Sequence, residues 1–331
     1  MSGRRIVVTG LGGELGSLVG SLLEEDSSIG EIVGIDTNPP RRRLKRSAFH
    51  LVESSDRDRI GTIINDANPH VIIHLGVWEP HARLNTADAR LHTEQLGEAV
   101  FETAHGLPAL ESLVLRSGIE VYGSLAHWPH QPNEHQALEP DSEFGHMLLA
   151  LEHHAAKLAM DRGTSIAMLR LASVVGKHVP SPLGRLLRLP AVPFNPFGAP
   201  QFSVIQDNDA ARAFVAAAKH QPHGAINVVA PGSISIPQAA SIGRRITLPT
   251  IGPAWWFAKS LSGLAGAPMP DHIVQLLMHG RSAQPGRTEE LLNFVPEYST
   301  HEVINSLYEW PSVIRIHRKN RLRNDAVCNH R

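Results

Sequence analysis

Apolar and polar positions follow two periods along this chain. Arg5-Ile6-Val7-Val8 is a short run suited to a buried strand, and a glycine-rich turn, Thr9–Gly16, follows it. Leu15, Leu18, Val19, Leu22 and Leu23 then recur at i, i+3, i+4, i+7 and i+8, which predicts an amphipathic helix. Glu31–Asp36 and Val71–Leu75 predict two more strands, with a helical stretch around Asp58–Asp66 between them. Leu113–Arg116 and Ile166–Leu171 are strands flanking a loop and a long helix near Phe144–Met160, and Ala225–Val229 is a further strand. Strands alternating with helices predict an α/β fold of the Rossmann type, a doubly wound parallel sheet with helices on both faces.

After Gly176 the texture changes. Pro180, Pro182, Pro190, Pro193, Pro196 and Pro200 predict irregular, loop-rich structure, and residues 233–312 mix short helices and turns as a small lid would. The expected organisation is a Rossmann domain over residues 1–176 with about 202–232, and a smaller C-terminal substrate or lid region over 177–201 with about 233–314. A basic tail over 315–331 completes it, carrying Arg315, Arg318, Lys319, Arg321, Arg323 and Arg331. The tail reads either as a solvated terminus or as a docking arm for an acidic partner. The richest apolar stretch, Pro253–Pro270 with Trp255, Trp256 and Phe257, reads as a buried or lid helix or as an attachment to a membrane surface. No run approaches the ~20 residues of a spanning helix, and Met1–Arg5 leads into a strand without a secretory pattern.

Composition acts mainly by exclusion. The formal net charge of -1 gives no field that would gather nucleic acid. A single cysteine, Cys328, excludes a disulfide framework and a cysteine zinc site, and fits a reducing cytoplasm. The 20 histidines lack metal-ligand spacing. His153 and His154 are adjacent and point apart on a helix, while His127, His130 and His135 sit in a proline-rich loop, so solvated histidines and no metal are expected.

The turn Thr9-Gly10-Leu11-Gly12-Gly13-Glu14-Leu15-Gly16 carries the first chemistry. Gly10 permits a tight turn, Gly13 lets the backbone approach a pyrophosphate, and Gly16 lets helix and strand pack closely. The phosphates then meet the free N–H groups and the positive end of the helix. Asp36 ends the next strand, twenty residues past Gly16, where a carboxylate accepts hydrogen bonds from ribose hydroxyls and repels a 2′-phosphate. That favours NAD over NADP, although Arg41, Arg42 and Arg43 follow closely and could pair with such a phosphate. Asp56, Leu75 and Gly76 join these residues as candidate cofactor contacts.

Over about residues 4–310 the chain resembles the NAD-dependent epimerase/dehydratase proteins, the extended short-chain dehydrogenases. Val71–Gly76 is similar to their strand ending in H-L-A-A. Ser117–Gly123 is similar to S-S-x-x-V-Y-G, Pro140–Gly145 to P-x-S-x-Y-G, Arg170–Gly176 to R-x-x-N-x-Y-G, and Val204–Ala211 to F-V-H-V-x-D-V-A. Ile226-Asn227-Val228 resembles the strand that follows. The resemblance implies a dinucleotide-binding first part, a C-terminal part closing over a nucleotide sugar, and a homodimer formed through two helices per subunit.

The resemblance also implies a tyrosine proton shuttle, a lysine four residues later, and a serine or threonine hydroxyl on the reacting oxygen. Here those positions hold Phe144, Leu148 and Gly118, and no Tyr-x-x-x-Lys occurs anywhere in the chain. Losing a positioned general acid–base typically costs about 10²–10⁴-fold. Lys157 is a poor stand-in, about half a turn away in angle from Leu148. Glu94 stands at a family asparagine, and Ser173 and Val175 replace the Asn and Tyr of R-x-x-N-x-Y-G. Glu120 matches a glutamate that acts as a base in nucleotide-sugar dehydratases, and an unusual pair with His146 is conceivable. Three readings stay open: a cofactor-binding regulator or scaffold with degenerate catalysis, an active oxidoreductase, epimerase or dehydratase that uses other residues such as Glu120, and a cofactor-stabilised structural subunit with no regulatory role.

Overall fold

The computed structural model describes residues 3–309 apart from 82, 126, 127, 129, 178, 180 and 199. The basic tail and His127 lie outside the described residues. Six strands in the first half are β1 (Arg4–Thr9), β2 (Ile29–Asp36), β3 (Ser47–Leu51), β4 (Val71–His74), β5 (Ser112–Gly118) and β6 (Ser165–Leu171). With Gly224–Val228 they form one seven-stranded sheet in the order 224–228, β6, β5, β4, β1, β2, β3. Every pairing in it is parallel. The chain runs outward from β1 to β3 and then returns to place β4 on the other side of β1. The strand ends of β1 and β4 therefore flank the point where the order reverses, which is where such sheets bind ligands.

The expected α/β architecture is present. The helices α1 (Glu14–Glu25), α2 (Arg57–Ala67), α3 (Thr86–Gly106) and α4 (Glu143–Arg162) cover the sheet together with the helix Asp207–His220. α1 packs on the 207–220 helix, and α3 lies between α2 and α4. α3 shows little apolar periodicity because its buried residues include Thr93, Gly97 and the small Ala89, Ala99 and Ala104, while Leu91 is exposed. β3 also lacks a sequence signal, because it is a half-exposed edge strand.

A large apolar cluster lies along the sheet, and a second joins Leu183, Leu186, Phe202, Ile234, Ile273, Leu276 and Ile304 in the C-terminal part. The proline-rich stretch is more regular than its composition predicts. Pro182 opens a helix, Pro182–Leu187, capped by Ser181, because proline is preorganised for the first helical turn. Pro193 lies in the strand Ala191–Phe194, which pairs with Ile246–Pro249 in an isolated two-stranded ribbon where a missing N–H is tolerated. The apolar stretch 253–270 does form a helix, Ala254–Leu264, but the buried-helix reading is corrected: its buried residues are Trp255 and Ser262.

One buried ion pair ties the sheet to α4. The Arg170 guanidinium on β6 donates to both Glu152 oxygens, at 2.9 and 2.7 Å, and to the Tyr122 hydroxyl at 2.8 Å. Ser117 on β5 donates to Glu152 at 2.6 Å, and Tyr122 donates to Asn227 Oδ1 at 2.8 Å. All five side chains are buried. Removing one partner strands a buried charge, which costs about 3–5 kcal/mol. Glu152→Ala is expected to lower unfolding free energy by about that amount in a denaturant titration, more than Glu152→Gln.

Candidate functional site

The glycine turn fits between β1 and α1 because Gly10, Gly12 and Gly16, three of its four glycines, stand where a side chain would clash. Gly10 has φ +78°, and a Cβ there would lie 2.6 Å from the Leu75 carbonyl carbon. A Cβ on Gly16 would lie 2.0 Å from Gly10 O, and one on Gly12 would lie 1.9 Å from Asn38 O. Gly13 differs: a Cβ there would meet only Gly10 O, at an ordinary 3.5 Å. Neighbouring chain atoms therefore do not demand a glycine at 13, and its open side faces the cleft. Gly13 is also the N-cap of α1 and offers no side-chain acceptor to the first-turn amides. The cradle fits an anionic group such as a pyrophosphate.

Asp36 sits at the end of β2 and is buried. Its Oδ2 accepts from Gly12 N at 2.8 Å, and its Oδ1 accepts from Asn38 N at 3.0 Å. Burial pushes its pKa up, against the opposing backbone hydrogen bonds from Asn38 and Gly12. A cleft of about 290 Å³ runs past these residues to Leu75, Gly76 and Arg116. Of the predicted cofactor contacts, Gly10, Gly12, Gly13, Glu14, Leu15, Gly16, Asp36, Leu75 and Gly76 line it. Leu11 does not: it is buried beneath β2 in the space left by Gly34. Asp56 does not either. Its carboxylate caps α2 by accepting from Arg59 N at 3.2 Å. Arg41 lines the cleft, and Arg42 and Arg43 do not.

His74 ends β4 beneath the turn, where its Nδ1 shares a 2.7 Å hydrogen bond with Thr9 Oγ1. Burial pulls its pKa down to about 4. The ring is therefore neutral near pH 7.

At the inner end of the cleft a small pocket is lined by Glu79, Arg116, Gly118, Glu120, Phe144 and Leu148. Phe144 and Leu148 are buried. A Cβ on Gly118 would lie 2.2 Å from Glu120 Oε2, so the Glu120 carboxylate occupies the space a hydroxyl side chain would need. Glu120 pairs with Arg281 at 3.7 Å. The same guanidinium reaches Asp141 at 3.3 Å and donates to His272 O at 2.9 Å. His272 Nε2 lies 3.1 Å from Glu79 Oε1, and its ring packs on Phe144 with centroids 4.8 Å apart. Burial alone would lower the His272 pKa, yet Asp271 and Glu79 hold it above its ordinary value. Glu79 moves the other way: burial would raise it, but His272, Arg116 and His81 bring it down.

The conceivable Glu120–His146 pair does not form. His146 is exposed, and its Nδ1 bonds Ser142 O on its own helix at 2.8 Å. Lys157 is exposed, and Glu94 is exposed beside Arg90 at 3.9 Å. Tyr122 is locked between Arg170 and Asn227 and serves the core. Sequence reasoning missed Glu79, Asp141, His272 and Arg281. Arg116 was missed too, although its charge within an apolar strand is a signal that could have found it; the others come from separate segments and share no spacing.

A profile of the NAD dependent epimerase/dehydratase family matches residues 6–230, more than half of the chain. The chain belongs to that family. A UDP-glucose 4-epimerase from Thermotoga maritima, solved with UDP-glucose, has the same fold, with a TM-score of 0.71 at 17% identity over 92% of this chain and 97% of that one. A UDP-glucose 4-epimerase from Brucella ovis, solved with NAD, gives 0.67 at 18% identity over 91% and 96%. An uncharacterised protein of Mycobacterium tuberculosis is 26% identical over 320 residues, covering 92% of this chain and 83% of its own length.

The glycines separate by role. Gly16→Ala is expected to cost about 1–3 kcal/mol of stability through overpacking, whereas Gly13→Ala should leave the melting temperature nearly unchanged and weaken dinucleotide binding in calorimetry. The histidines separate by sign. A neutral buried His74 binds fewer protons than the unfolded chain, so stability should fall as pH drops from about 6.5 to about 4. His74→Phe should flatten that slope in urea titrations at stepped pH. His272 acts oppositely, its contribution being full below pH 6.5 and lost as pH rises through its raised pKa.

Proposed function

We propose that this protein binds NAD(H) and does not run the tyrosine–lysine hydride-transfer mechanism, acting as a cofactor-bound regulator or scaffold. One observation carries the reading: the nucleotide cleft keeps its glycines and Asp36, while the proton-handling positions are Gly118, Phe144 and Leu148, with the Glu120–Arg281 pair filling the hydroxyl's space. A bound NAD supplies a hydride-accepting ring whose charge depends on its redox state. The α1 amides would hold its pyrophosphate, and Asp36 its adenosine ribose. A 2′-phosphate would face the Asp36 carboxylate, which supports NAD over NADP, although Arg41 shares that wall. The UDP-sugars and NAD named for the structural neighbours support a nucleotide sugar as a second ligand. We also propose a homodimer through α3 and α4, whose outward positions include exposed Leu91 and Met160, and a reducing, cytoplasmic setting for the lone cysteine.

A second reading has its own support. Glu79 and Glu120 converge with Arg116 in a pocket contiguous with the cleft, an arrangement able to exchange protons with a ligand there. Calorimetry with NAD⁺, NADH, NADP⁺ and NADPH, followed by hydride-transfer assays on a panel of UDP-sugars, separates the two. The first reading expects NAD⁺ and NADH to bind without turnover. It also expects Phe144→Tyr with Leu148→Lys to restore nothing while Glu120 blocks position 118. Turnover abolished by Glu120→Gln would establish the second reading. Binding of none of the four dinucleotides would overturn both.

A further inference from the structure

The helix Ala254–Leu264 presents an apolar surface away from the protein. Trp255 and Ser262 face inward. Trp256, Phe257, Leu261 and Leu264 are exposed at 68%, 60%, 65% and 86%. At the helical angle per residue these four and Ser260 fall within one arc of about 140°, turned away from the buried pair. The Trp256 and Phe257 rings meet edge to face at 4.9 Å. Ile246, Leu248 and Ile251, just before the helix, are also exposed. A helix apolar on its inner and outer faces, in a protein whose core needs only the inner one, marks an interaction surface.

Charge identifies the partner's chemistry. No Asp or Glu occurs between Asp209 and Asp271, whereas Arg244, Arg245 and Lys259 lie in or beside the exposed segment. The helix Thr300–Glu309 closes the described chain, and its Tyr308 ring lies under the Arg245 guanidinium at 5.9 Å and against Gly243.

We propose that this face docks on an anionic lipid surface. Trp256, Phe257, Leu261 and Leu264 enter the boundary between headgroups and acyl chains, as interfacial helices do. Lys259, beside the arc, reaches lipid phosphates with its charged end, and Arg244 and Arg245 add attraction to the negative leaflet. The proposal is independent of whether the nucleotide cleft holds NAD.

The test floats the full chain with vesicles of phosphatidylcholine alone and of phosphatidylcholine mixed with phosphatidylglycerol. Partitioning should favour the mixed vesicles and fall with added salt, since exposed charges are screened beyond a Debye length of about 10 Å at 0.1 M. Trp256→Glu and Leu261→Glu should each reduce partitioning at least about tenfold, with circular dichroism and melting temperature unchanged. Trp256→Phe should still bind but lose part of the tryptophan quenching caused by brominated lipid. Failure to partition onto the anionic vesicles at low salt would overturn the proposal, as would full partitioning by both glutamate variants. If vesicles are not bound and Leu261→Glu converts a dimer to a monomer on sizing, the face belongs to a second copy and the lipid proposal is wrong.

Discussion

The nucleotide cleft depends on a close approach of main chain to main chain at the reversal point of the sheet. Gly10 passes so close to the Leu75–Gly76 peptide, and Gly16 so close to Gly10, that neither position has room for a Cβ. β1, β4 and the start of α1 converge there, and His74 and Thr9 close the floor with a buried hydrogen bond. Interiors packed at crystal-like density do not absorb an added methyl easily. Gly13, which lacks such crowding, is the one glycine of the turn whose small size is left for something outside the chain.

Much of this was legible in the sequence because it is local. A strand, a turn with glycines at fixed offsets, a helix of period 3.6 and an acid twenty residues on all lie within residues 4–36, and the folded turn places them along one wall. Leu11 and Asp56 were misplaced for local reasons too. An apolar side chain in the turn finds a cavity over Gly34, and an aspartate before α2 caps that helix instead of reaching the cleft. The outward face of the 254–264 helix shows the limit of composition: the residues are apolar enough to be buried, and only the fold reveals that most of them are not.

The charged cluster at the inner end of the cleft was not legible, for a physical reason. Glu79 follows β4, Glu120 follows β5, Asp141 precedes α4, His272 lies in the first turn of the helix Asp271–His279, and Arg281 follows that helix. Such a set is assembled by tertiary packing, and its members carry no periodicity relative to one another. The departures at 118, 144 and 148 from the family's pattern can be read in the sequence. The structure adds that the space at these positions holds the Glu120 carboxylate, a leucine and a phenyl ring tilted against an imidazole.

Arg281 gives that cluster a mechanical meaning. Its guanidinium, itself buried, is the cation shared by Glu120 on the sheet side and Asp141 before α4, while its backbone N–H and C=O hold the strands around Gln201 and Ser203. Swinging the C-terminal part away from the sheet would carry this cation away from Glu120 and Asp141 and leave Arg116 as the cation beside Glu79 and Glu120. Breaking a buried pair by removing a partner costs several kcal/mol, so Arg281 acts as an electrostatic latch. A ligand that parted the two halves at this place would have to compensate the charge that Arg281 takes with it.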